Sequence, residues 1–149
     1  MLDEDLSRLA AFRMLLRQFQ HFSERTSAVV GLTSVQYQAL LAIKTEPDGL
    51  PLTVKLLAQL LLIKHNSAVG LVDRIEQLGL VRRRRSEVDR RSVVVELTPR
   101  GRLAMNRIAA RHRRELQQMA PEMLQYLRHF AVEGGAAGSP AGWRLGTKA

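Results

Sequence analysis

Arginine is the residue type whose placement could do chemistry in this chain. Of 23 basic residues 19 are arginine, against 14 acids, for a net charge of +9 over 149 residues. Twelve of those arginines fall between residues 80 and 114, where only Glu87, Asp89 and Glu96 oppose them, while the rest of the chain is balanced. A compositional bias explains Arg in place of Lys, but it does not explain the clustering. A localised basic segment is the electrostatic footprint of a protein that binds a polyanion, nucleic acid first among them.

Other chemistries are poorly supplied. There is no cysteine, which excludes disulfides, thiolate metal sites and thiol nucleophiles. The chain lacks G-x-x-x-x-G-K-[ST], G-x-S-x-G, G-x-G-x-x-G and H-E-x-x-H, so no enzyme is expected. His112 and Glu115 share a helix face at i,i+3 but have no third ligand in view, so no metal and no cofactor are expected. His112 reads as a solvated residue on a basic helix. The dense apolar stretch Leu56 to Ile63 is too short to span a bilayer, and Met1-Leu-Asp-Glu-Asp5 is acidic, so neither a membrane span nor a secretory signal is expected. The expectation is a cytoplasmic protein.

These arginines need elements to hold them. Residues 3 to 28 have no Gly or Pro, and Leu6, Leu9, Phe12, Leu16, Phe19 and Phe22 make an apolar helical stripe. Thr33-Ser-Val-Gln36 is a capping box opening a helix to about 45, with Val35, Leu40 and Ile43 inward. Glu46-Pro-Asp-Gly49 is turn chemistry. Thr53 caps a short helix to about Leu61. After a brief connection, residues 66 to 78 form another helix, ended by Gly79. Two short helices with a tight turn make a helix-turn-helix. Leu80 to Arg85 and Ser92 to Leu97 are strand-like and flank a polar loop, which gives a hairpin wing. Thr98-Pro99 restarts a helix to about 119. Ala120-Pro121 breaks or kinks it before a last helix over 121 to 131.

The fold class is therefore mainly α with a small β-hairpin wing: a winged helix-turn-helix between N- and C-terminal helices. The second helix of the motif is the one a major groove admits, so His65, Asn66, Ser67 and Arg74 are candidate DNA contacts. For His65 and Asn66 the alternative is turn or capping chemistry, and for Arg74 an ion pair with Asp73 or Glu76. In the wing, Arg90 and Arg91 suit the negative potential of a narrow minor groove, and Asp89 is expected to orient one guanidinium by a bidentate pair. Within the run Arg82 to Arg85 the strand alternates faces, which nominates Arg83 and Arg85 for phosphate. A charge-protected edge strand is the alternative.

Three pieces, Leu71-Val-Asp-Arg-Ile-Glu-Gln-Leu-Gly-Leu-Val81, Asp89-Arg-Arg91 and Leu97-Thr-Pro-Arg-Gly101, resemble in order and spacing the multiple-antibiotic-resistance regulator (MarR) family of winged-helix repressors. The resemblance runs from Leu32 to about Leu127. It implies an N-terminal dimerisation helix (1–31), a DNA-binding lobe (32–98) and C-terminal dimerisation helices (99–131), while the Gly- and Ala-rich composition from Gly134 on reads as a flexible tail (132–149). It further implies a homodimer on a pseudo-palindromic operator in double-stranded DNA, and repression relieved by a small aromatic or anionic ligand. The implied ligand pocket draws on Phe19, Phe22, Tyr37 and Leu41, with Arg17 or His21 as anchors, each equally readable as core. The thiol switch of some relatives is impossible without cysteine.

The chain departs from that pattern in places. Lys64 stands where a capping Ser or Thr is usual, Gly70 where a base is usual, and Leu56, Leu60 and Leu62 where polar residues or Gly are common. These departures keep two rivals open, a winged-helix protein-interaction module and a sequence-independent DNA-binding protein. Packing against the N-terminal or last helices is the plainer reading of the Leu56/Leu60 face.

Overall fold

The computed structural model describes residues 2–45 and 52–133. The turn expected at 46–49 and most of the tail lie outside them. Five helices and one hairpin follow in chain order: α1 (Asp3–Val29), α2 (Ser34–Thr45), α3 (Val54–Leu61), α4 (His65–Gln77), β1 (Val81–Arg85), β2 (Val93–Leu97) and α5 (Pro99–Glu133). Among the described residues no single helix is long and apolar enough to cross a membrane.

Local chemistry sets the boundaries. The Thr33 hydroxyl accepts the Gln36 N–H at 3.1 Å, and the Gln36 side chain accepts the Thr33 N–H at 3.0 Å, so the capping box opens α2. Thr53 caps α3 by accepting the Leu56 N–H at 3.1 Å. Gly79, at φ 74°, closes α4: its N–H reaches the Glu76 carbonyl, and the Leu80 N–H reaches Ile75. The same pair of bonds closes α3, but there the left-handed residue is Leu62, at φ 54°. An L-residue with a side chain costs roughly 1–2 kcal/mol in that conformation.

Thr98 explains the Leu97-Thr-Pro-Arg-Gly101 sequence. Its hydroxyl donates to the Gly79 carbonyl at 2.6 Å and accepts the Gly101 N–H at 3.0 Å, tying the start of α5 to the end of α4. Any side chain on Gly101 would meet the Leu80 carbonyl oxygen at 1.9 Å, so only glycine lets the two backbones approach.

One core organises the lobe. Leu40 and Ile43 of α2, Leu57 of α3, Val72 and Ile75 of α4, Val95 of β2 and Ile108 of α5 are all buried. The strands pair antiparallel with Arg83 opposite Val95. Thr53 adds a bridge to Val94, so the segment before α3 extends the hairpin on its β2 side. Leu56 and Leu60 are partly buried, but α3 packs mainly on α2, α4 and β2 of the lobe, not on the N-terminal or last helices as expected. Val35, expected inward, is exposed, because α2 turns Tyr37, Leu40 and Ile43 to the core instead.

Three expectations about α5 are corrected. The helix runs unbroken through Pro121 to Glu133. A proline removes one backbone donor, and here the long helical runs on both sides carry the segment past it. Val132, assigned to the tail, belongs to this helix. His112 is buried rather than solvated: one ring nitrogen lies 2.8 Å from the Ser23 hydroxyl of α1, the other 2.9 Å from the Ile108 carbonyl.

Candidate nucleic-acid interface

The outward face of α4 follows from its period. Ala68, Leu71, Val72 and Ile75 are buried. Asn66, Gly70, Asp73 and Gln77 fall on the opposite side, within an arc of about 60°. Ser67 and Arg74 flank that arc on one edge, His65 and Glu76 on the other. His65, Asn66, Ser67 and Arg74 are all exposed, with Asn66 on the outward arc, Ser67 and Arg74 at one edge of it and His65 at the other. A Cβ on Gly70 would meet nothing within 4 Å, so packing does not require glycine there. Its effect is a dent at the centre of the face that admits close approach. Lys64 occupies the N-cap without a side-chain hydrogen bond, and the helix starts at His65, one residue before the expected start. The first-turn N–H groups of α4 are thus left open to an anion.

Two carboxylates stand beside this face, and one arginine answers both. The Arg83 guanidinium donates to Asp73 at 2.6 Å and Glu76 at 2.8 Å, and the Arg83 backbone N–H donates to Glu76 at 3.0 Å. Burial lowers the pKa of Arg83, and the bonds to Asp73 and Glu76 more than reverse that, leaving the cation held above its ordinary value. Arg83 is thereby committed within the protein, clamping β1 to α4 and cancelling charge that would repel a phosphate backbone. The ion pair considered for Arg74 is instead made by Arg83. On the other face of β1, Arg82 and Arg84 both pair with Glu96 of β2. The Arg84 guanidinium holds that carboxyl below the usual range, burial opposes it, and Arg82 adds to the lowering. Arg85 is exposed at the strand end and makes no ion pair with a described carboxylate.

The wing loop is ordered through its backbone. The Ser86 hydroxyl, buried at the end of β1, accepts the N–H groups of Val88 and Asp89 at 3.3 Å. Asp89 accepts the Arg91 N–H and the Ser92 hydroxyl, both at 3.0 Å. The expected Asp89–guanidinium pair is not formed: a short carboxylate in a tight turn finds backbone donors two residues on before it finds a long side chain. Arg90 and Arg91 are therefore both exposed at the tip, on a loop fixed by Ser86 and Asp89.

The proposed pocket residues divide. Phe19, Phe22 and Tyr37 converge on His112: Tyr37 stacks on its ring at 4.7 Å, and the two phenylalanines meet it edge-on at 5.6 and 5.5 Å. Burial raises the Tyr37 phenol above its ordinary pKa. Beside this stack lies an open groove of about 460 Å³, lined by Tyr37, His112, Arg113, Leu116 and Gln117 among others. Arg17 and His21 sit about 160–200° around α1 from Phe19 and are exposed, as is Leu41, so the structure does not gather them with the rings. Arg113 is the cation at the groove, and the sequence reading did not nominate it.

Comparison with known proteins places these features in a family context. Residues 30–92 match the family model described as MarR family. The organic hydroperoxide resistance transcriptional regulator of Bacillus subtilis (strain 168) is 33% identical over 94 residues. That match covers 63% of this chain and 59% of the relative, so the chain spans about three-fifths of that protein's length. AbsC, a MarR family transcriptional regulator from Streptomyces coelicolor, superposes with a TM-score of 0.70 at 26% identity, covering 85% of this chain and 88% of its own. A Staphylococcus aureus MepR variant bound to an oligodeoxyribonucleotide shares the fold at a TM-score of 0.62 and 16% identity, over 84% of this chain and 93% of its own.

Proposed function

We propose that this chain is a member of the MarR family and a DNA-binding transcription regulator that binds a pseudo-palindromic operator as a homodimer and releases it on binding a small ligand. The observation that carries the DNA reading is the union of α4 and the wing through Arg83. The residues that can read bases, Asn66 and Ser67, and the residues that can enter a minor groove, Arg90 and Arg91, sit on parts held together by that clamp. Phosphate contacts fix a protein on a duplex and base-edge contacts specify sequence, and this surface carries both kinds. A MepR variant that shares this fold is bound to an oligodeoxyribonucleotide, which supports DNA as the partner.

The dimer follows from apolar surface. Leu6, Leu9 and Leu16 of α1 and Leu116, Leu124 and Leu127 of α5 are between 39% and 51% exposed in a single chain. Contiguous apolar helix faces of this extent mark an association surface, and a second copy brings a second reading helix, which an inverted-repeat operator mirrors. For the ligand, the groove beside Tyr37 and His112 offers stacked rings and the Arg113 cation, which suits a small aromatic or anionic molecule. The groove lies where α2 of the lobe meets α5, so occupancy there can shift one lobe relative to the long helices. Repression is the mode this arrangement serves most simply, since bound protein occludes the operator.

The test is selection of binding sites from random duplexes. The reading predicts an inverted repeat whose half-sites are about one helical turn apart. Recovery of duplexes with no shared sequence would point to the sequence-independent alternative, and no enrichment at all to the interaction module.

A further inference from the structure

A second basic feature has no part in the DNA face. Arg100, Arg107, Arg111 and Arg114 fall within about 60° of one another around α5 and span about 21 Å along it. None has a carboxylate partner among the described residues. The helix-surface neighbours of Arg107 are Leu103, Ala104, Ala110 and Arg111, and like charges at i,i+4 cost stability.

These arginines line a concave surface. A groove of about 480 Å³ runs between Thr26, Val29 and Val30 of α1 and the three arginines 107, 111 and 114. A second groove, of about 460 Å³, continues from it through Val29, Val30 and Arg107 to Leu78, Leu80, Arg100 and Leu103. Together they form one trough: Arg107, Arg111 and Arg114 line its first part, and in the second Arg100 and Arg107 stand among Val29, Val30, Leu78, Leu80 and Leu103. Arg100 lies against Gly79, at the C-terminal end of α4. The reading residues sit at the N-terminal end of that helix, about 20 Å away, and α5 continues onward to α1. A duplex on the α4–wing face therefore leaves this trough open.

We propose that the trough binds a phosphate-headed amphiphile, with two or more phosphate charges on Arg107, Arg111 and Arg114 and a hydrocarbon body toward Leu80 and Leu103. Three guanidiniums side by side exceed what one carboxylate needs, and their planar forks match phosphate oxygens in pairs. The valines and leucines of the second groove give the body of such a molecule apolar contacts that a free inorganic anion does not use. The site is separate from the Tyr37–His112 groove, on another face of α5, and its occupancy can be measured without DNA.

Calorimetric titration of the intact protein with farnesyl diphosphate, pyrophosphate and farnesol provides the test. The expected result is binding of farnesyl diphosphate at least tenfold tighter than either fragment. R111A/R114A should lose at least tenfold, with helicity and oligomeric state unchanged. Leu103→Ser should weaken farnesyl diphosphate while leaving pyrophosphate as in the parent. Equal affinity for pyrophosphate and farnesyl diphosphate would overturn the amphiphile. Absence of binding would overturn the site, as would an affinity indifferent to the arginine substitutions. A change of oligomeric state in R111A/R114A without any effect of ligand would assign the trough to a second copy of the chain instead. Loss of duplex binding alone would assign it to DNA.

Discussion

The winged lobe and the two long helices solve the same burial problem differently. In the lobe, Leu40, Leu57, Val72 and Ile75 are shut away within a single chain. Along α1 and α5 a set of large apolar residues stays open in the single chain: Leu9 is 41% exposed, Leu116 42% and Leu127 46%. Charge divides the same way. In the lobe, Asp73, Glu76 and Glu96 are answered by arginines of β1, whereas Arg100, Arg107, Arg111 and Arg114 of α5 have no carboxylate partner among the described residues. The lobe is complete in itself, and the long helices are built to meet something else. A second copy, and on another face of α5 an anion, are the occupants their surfaces suit.

Burial is where the contrast breaks most visibly. Ile75→Ala in the lobe should cost about 2–5 kcal/mol in urea unfolding, at any protein concentration. Leu127→Asp should instead move the scattering mass toward that of one chain and remove the concentration dependence of unfolding that a dimer shows, with lobe folding preserved. If Leu127→Asp leaves the mass unchanged, the long helices are not the association surface. Next in size is the wing. Replacing Arg90 and Arg91 together by Ala should lower the slope of log affinity against log salt by about 2, roughly 0.9 for each contact. It should weaken preferred and scrambled duplexes alike, and an unchanged slope would remove the wing from the interface.

Smaller effects sharpen the same contrast. Leu62 is 93% exposed and left-handed, so Leu62→Gly loses no burial. Relief of roughly 1–2 kcal/mol of backbone strain outweighs glycine's entropic cost of about 0.5–1, which predicts a gain of up to about 1 kcal/mol by thermal melting. Destabilisation would mean that the Leu62 side chain has a partner. At the far end of the long helices, His129 lies 2.9 Å from Asp5 and joins α5 to α1. The His129 hydrogen bond and the Leu2 N–H hold the Asp5 carboxyl below its ordinary pKa. A lowered folded-state value stabilises above the ordinary carboxylate range, and that contribution disappears as pH falls through the lowered value. Asp5→Asn should therefore flatten the acid side of the melting profile, and an identical profile would assign the acid sensitivity elsewhere.

Much of this was legible in the sequence because local rules and the fold agree. The Thr33–Gln36 box, the Thr53 cap, Gly79 and Thr98-Pro99 set boundaries through bonds to near neighbours. What escaped depends on contacts between distant segments. Arg83 alternates with Arg82 and Arg84 along a strand, but only the docking of β1 on α4 reveals that its partners are Asp73 and Glu76. Asp89 beside two arginines suggested an ion pair, while the turn supplied nearer donors. His112 carried a signal that went unused: it continues the buried Met105–Ile108 row at i+7 and i+4, a spacing that argues for the interior whatever the charge of its neighbours. Arg113, one residue on, reached the groove beside that ring for the same reason.

The central claim is that α4 reads sequence while the arginines hold the duplex, and paired titrations test it most directly. Asn66→Ala and Ser67→Ala should each be measured on the duplex recovered by selection and on a scrambled duplex, at one fixed salt concentration. Each substitution is predicted to cost on the order of 1–3 kcal/mol on the selected duplex and little on the scrambled one. Equal losses on both DNAs would contradict the account, because α4 would then contribute adhesion without recognition.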